Sequence, residues 1–69
     1  MVQFEVSINK KARVAYIPKV IVESLGNKVT IVPNTKAAII FGHDAQPKDV
    51  LRSLRQLEDH FKDLAGEKE

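Results

Sequence analysis

Sixty-nine residues and 7.7 kDa, with no cysteine and no tryptophan, allow one small domain and exclude a second. A chain this short buries only about 60% of its unfolded surface, and the lack of cysteine excludes disulfide staples and thiolate metal sites, so a homodimer or larger assembly is expected to supply the missing core. Eleven Lys and Arg against nine Asp and Glu leave a net charge of +2, too mild to specify a partner.

Val2, Phe4, Val6 and Ile8 alternate with Gln3, Glu5 and Ser7, the period of a strand with one face in a core. Asn9, Lys10, Lys11 and Ala12 form a polar break, and Arg13-Val14-Ala15-Tyr16-Ile17 reads as the returning arm of a hairpin. Pro18 ends that arm and can open a helix, because the first helical N–H has no partner to lose. Lys19 to Leu25 fits a short helix closed by a left-handed Gly26, but β-branched Val20, Ile21 and Val22 fit a strand equally well.

Val29 and Ile31 alternate with Lys28 and Thr30 up to the turn residues Pro33-Asn34-Thr35, which predicts a second hairpin. Its other arm, Ala37 to Phe41, is apolar on both faces, more than a monomer this small can cover, and this places Ile39, Ile40 and Phe41 at a subunit interface. Gly42 to Gln46 reads as a loop. Pro47 then opens a helix to about Leu64, with Gly66 and a charged, frayed end beyond it. In this helix Val50, Leu54, Leu57, Phe61 and Leu64 form a heptad seam widened by Leu51, while Arg52, Arg55, Glu58, Asp59, Lys62 and Asp63 lie outside it. The seam fits packing on the chain's own sheet and pairing across a dimer equally well. No apolar run approaches the roughly 18 residues of a membrane span, and no charged segment leads into an apolar block, so a soluble cytoplasmic protein is expected.

Charge divides along the chain. Up to Lys36 there are six basic residues and two acidic, a net +4; the remainder has five basic and seven acidic, a net −2. A polyanion would therefore meet the first part, where Lys10, Lys11 and Arg13 cluster at one hairpin tip.

The order of strand, basic turn, Arg-bearing strand, Ile17-Pro18, short segment ending Leu25-Gly26 and second hairpin resembles the SpoVT-AbrB domain. The likeness covers about residues 2 to 41 and rests on Lys11-Ala12-Arg13-Val14-Ala15-Tyr16-Ile17-Pro18, against the family's Lys-Gly-Arg-Val-x-Ile-Pro, and on the interval to Leu25-Gly26. It implies a mostly β fold with helices: a swapped-hairpin AbrB-like barrel homodimer over residues 1–42, followed by a C-terminal helix and frayed tail over 43–69. It also implies that Lys19 to Leu25 is a helix. Four features depart from the family pattern. Ala12 stands in place of the turn glycine, one extra residue separates Arg13 from Pro18, Val22-Glu23 falls where many members carry paired arginines, and the loop after Gly26 is shortened to Asn27.

The function the resemblance implies is duplex DNA binding by a transcription regulator of repressor or antitoxin type, with a chromatin-coating role as another possibility. Asn9, Lys10, Lys11, Arg13 and Lys19 are the candidate contacts: Arg13 can bridge guanine O6 and N7, Asn9 can assist, and the lysines suit phosphate. Val14, Tyr16, Ile39, Ile40, Phe41, Leu54, Leu57 and Phe61 are the candidate dimer interface, with the C-terminal helix as a route to a higher oligomer. A toxin protein is a further partner if the antitoxin form holds. The alternative is a protein-interaction or oligomerisation module of the same fold without DNA binding, its working surface the helix seam. A ribbon-helix-helix regulator has one strand before two helices, and Val29 to Phe41 argues against it. Neither a cofactor nor an enzyme activity is expected: His43 and His60 are far apart in sequence, Ser7, Ser24 and Ser53 have no nearby base, and the three glycines are too scattered to cradle a phosphate.

Overall fold

A computed structural model describes residues 2–66, and its element order is β1 (Ile8–Asn9), β2 (Val14–Ala15), α1 (Lys19–Leu25), β3 (Val29–Pro33), β4 (Ala38–Gly42) and α2 (Pro47–Ala65). The charged tail expected beyond Gly66 lies outside the described residues. Two antiparallel hairpins, β1–β2 and β3–β4, form two separate two-stranded sheets. The helices hold more residues than the strands, so the fold is mixed rather than mostly β.

That shift in balance comes from the N-terminal hairpin. The strand expected over residues 2–8 and the return expected over 13–17 shrink to two residues each, with Ile8 opposite Ala15 and Asn9 opposite Val14. Residues 2–7 keep their alternating sequence but find no strand neighbour in their own chain, and an isolated hairpin gains too little from its own ladder to extend. Arg13 also leaves the strand. It is the last residue of the turn, and its N–H donates to Asn9 O at 2.6 Å.

The second hairpin is fuller than the sequence reading. Pro33 and Gly42 both belong to it, in a five-residue register running from Val29 opposite Gly42 to Pro33 opposite Ala38. The Asn34 N–H donates to Ala37 O at 2.6 Å across the turn, and the His43 N–H continues the ladder to Lys28 O at 3.0 Å. In this register Thr30, Val32, Ile39 and Phe41 share one face and Val29, Ile31 and Ile40 the other. Thr30, Ile39 and Phe41 are half-buried, whereas Ile31 and Ile40 remain 58% and 47% exposed.

Between the hairpins, α1 is a helix of seven residues despite its β-branched run. Pro18 O accepts from the Ile21 and Val22 N–H groups, and Ser24 Oγ donates to Val20 O at 2.9 Å. Gly26 closes it at φ 88° and ψ −172°, an extended positive-φ conformation rather than the left-handed cap expected, and one that only glycine adopts readily. Gly42 is required for a different reason. A Cβ on it would lie 2.7 Å from Leu25 O, so β4 meets the end of α1 where no side chain fits. The long helix α2 starts with Pro47 at its first turn and ends at Gly66, which is left-handed at φ 77° and ψ 13° and donates its N–H to Asp63 O.

No described residue is buried. The chain exposes 6783 Å², whereas a folded monomer of this mass exposes about 4,300 Å². The excess, about 2,500 Å², leaves only about 40% of the unfolded surface covered instead of the ~60% usual at this size. The radius of gyration, 13.7 Å, likewise exceeds the ~11 Å of a compact chain of this length.

Candidate nucleic-acid interface

Four of the five candidate contacts come together at the β1–β2 turn. Asn9 is the last residue of β1; Lys10, Lys11 and Arg13 with Ala12 form the four-residue loop; and Val14 restarts the ladder. Asn9 organises the loop from its base. Its Oδ1 accepts from the Ala12 N–H at 3.0 Å while its main-chain oxygen accepts from Arg13. Two bonds to one asparagine therefore hold the three cationic side chains on a turn with a defined conformation.

Arg13 takes the turn's left-handed position, at φ 60°, and is the only non-glycine residue with positive φ among the described residues. Ala12, the residue before it, has no positive φ. The left-handed region costs an L-residue roughly 1–2 kcal/mol.

The loop's charge is unopposed locally. No acidic residue lies between Glu5 and Glu23, a stretch that holds Lys10, Lys11, Arg13 and Lys19. Lys10, Lys11 and Arg13 are exposed and make no ion pair among the described residues, so their charges are available to a polyanion. Lys19 is placed differently. It begins α1 rather than joining the loop, and its Nζ lies 4.0 Å from Glu23 Oε1 one turn on, both side chains well exposed. Such a pair contributes a few tenths of a kcal/mol at most. It nonetheless places an acid beside the cation, something the spacing of Lys19 and Glu23 in the sequence already signals.

The candidate interface residues divide by depth. Ile39, Phe41 and Leu54 are half-buried, while Val14, Tyr16, Ile40, Leu57 and Phe61 are exposed, Tyr16 by 96%. A groove of about 860 Å³ runs between β4 and the first half of α2, with Leu25, Phe41, Val50, Leu54 and Leu57 among its walls. Sequence reasoning did not find it, because it depends on how far α2 stands off the sheet. Apolar exposure also reaches residues outside the expected set: Val2, Phe4, Val6 and Ile8 on the N-terminal arm, and Val20 and Val22 on α1. Among the described residues no three His, Asp or Glu side chains gather as a metal site would require, and no helix is long and apolar enough to cross a membrane.

Comparison of the chain with protein-family models, curated proteins and solved structures returns no match. The functional reading therefore rests on the residues themselves.

Proposed function

We propose that the protein is a homodimeric duplex-DNA-binding transcription regulator of the swapped-hairpin kind, touching DNA through the Asn9–Arg13 tip of each subunit. The observation that carries this reading is the loop itself: three exposed cations, without an ion pair among the described residues, on a turn fixed by two bonds to Asn9, in a stretch without an acid. A two-fold dimer displays that loop twice and brings six cations to one duplex. Lysines there neutralise phosphate, and Arg13 is the group suited to a guanine edge. Dimerisation is supported by the excess of exposed surface, which exceeds the ~800 Å² per partner of a standard interface. The unpaired arm of residues 2–7, the exposed Val14 and Tyr16, and the Ile31–Ile40 face of the second sheet would form the shared barrel.

The Lys19–Glu23 pair favours a second reading, an oligomerisation module of the same fold that does not bind DNA. Fluorescence anisotropy of a labelled mixed-sequence duplex, titrated at several salt concentrations, separates the two. Wild type should bind with a log–log salt slope of about −3.6, four phosphates, one for each Lys10 and Lys11 of the dimer, at about −0.9 each. The Lys10/Lys11/Arg13→Ala variant should lose both affinity and slope. A folded wild-type dimer without salt-dependent binding near 50 mM salt would overturn the DNA reading and leave the module.

A further inference from the structure

We infer that α2 is a self-pairing helix, and that its second half docks antiparallel into the groove beside the first half of α2 in another copy of the chain. Three observations converge. The second half of α2 carries the apolar seam past the end of the groove: Phe61 and Leu64 continue it beyond Leu57 and are 59% and 62% exposed. The seam residues Val50 and Leu54, half-buried, and Leu57 form one wall of the groove, and only Phe61 and Leu64 run past its end, so each copy offers both an unfilled slot and an uncovered stripe. A helix with an apolar stripe this narrow buries it against one neighbour, and a heptad spacing is the pattern of a partner helix.

Charge selects the partner and its direction. The first half of α2 holds Lys48, Asp49, Arg52 and Arg55, a net +2, and the second half holds Glu58, Asp59, Lys62 and Asp63, a net −2. Parallel pairing would set like halves side by side. Antiparallel pairing sets +2 against −2 at both ends, and it aligns the two helix dipoles favourably as well. In that arrangement Val50 meets Leu64 of the partner subunit, Leu54 meets Phe61 of the partner subunit, and Leu57 meets its own copy. The two-fold axis passes near Leu57, and Glu58 beside it has its own countercharge in Lys62, 3.7 Å away. The seam pairing and a hairpin interface can coexist, because the excess exposed surface of about 2,500 Å² is about three times what one standard interface takes from each partner.

The chain has no cysteine, so engineered thiols report on this pairing without background. Val50→Cys and Leu64→Cys full-length proteins, mixed through a denaturation–renaturation cycle and oxidised, should form a disulfide-linked 50–64 dimer. Neither should form one alone, since like positions in an antiparallel pair lie about 20 Å apart along the axis, beyond the ~7 Å that a disulfide spans. Crosslinking of either variant by itself would mean parallel helices and would overturn the inference. So would the absence of the mixed product. As a second readout that leaves the groove wall intact, Phe61→Glu should lower the sedimentation mass or weaken self-association at least tenfold. An unchanged mass and association constant would likewise overturn the proposal. No DNA enters either experiment, so this inference and the duplex reading can fail independently.

Discussion

Replacing Arg13 by glycine should stabilise the protein while weakening duplex binding, an uncommon combination that follows from one backbone angle. At φ 60° an L-residue pays roughly 1–2 kcal/mol that glycine does not. Glycine also gains freedom in the unfolded chain, which offsets about 0.4–1 kcal/mol. The remainder, about 0.5–1 kcal/mol per chain, corresponds to a rise in Tm of roughly 2–8 °C for a domain of this size. Arg13→Ala is the control, since it removes the same guanidinium but keeps the Cβ that the left-handed backbone resists. Thermal unfolding followed by circular dichroism, at equal protein concentration because association shifts Tm, should place Arg13→Gly above Arg13→Ala. In anisotropy titrations the two variants should lose affinity equally, while the salt slope of each stays near the wild-type value, because Arg13 is assigned to a base edge and the lysines to phosphate. A glycine variant that melts at or below the alanine variant would refute the strain argument. Equal stability gains with unchanged duplex affinity would refute the assignment of Arg13 as a contact.

Three further substitutions probe other points of the fold. Gly42→Ala should destabilise by about 1–3 kcal/mol in urea unfolding, because its Cβ would sit 2.7 Å from the main-chain oxygen of Leu25 and neither backbone can yield cheaply. Gly26→Ala should cost about 1–3 kcal/mol in the same assay although its Cβ would meet open space, since the penalty there is conformational rather than steric crowding. Glu23→Gln removes the acid 4.0 Å from Lys19; duplex affinity should rise about two- to fivefold at low salt, taking a few tenths of a kcal/mol per subunit, with Tm nearly unchanged.

The candidate contacts were legible in the sequence because a turn is a local structure. Asn9 to Val14 contains every group that shapes the loop, and the cations sit where the polar break places them. What the sequence did not disclose is which loop residue would be left-handed. With no glycine in the turn, that choice depends on the pairing of Asn9 with Val14, which leaves four residues to close the loop. The groove beside α2 was likewise hidden, because a 4-3-4-3 spacing states that a helix has a seam without stating what lies opposite it.

The sequence by itself determined two elements whose hydrogen bonds are local, α2 from Pro47 to the glycine that caps it and the β3–β4 hairpin around Asn34, whereas over Lys19 to Leu25 its pattern fits helix and strand equally and the structure decides for the helix. Only the tertiary structure decided how much of the N-terminal alternation becomes strand, because a β ladder needs a neighbour and residues 2–7 have none within the chain. It alone decided that the two hairpins remain separate sheets and that half of the α2 seam stays in solvent. The physical reason is the same in each case: a periodic apolar pattern specifies that a face must be covered, and the distance to its neighbour decides by what.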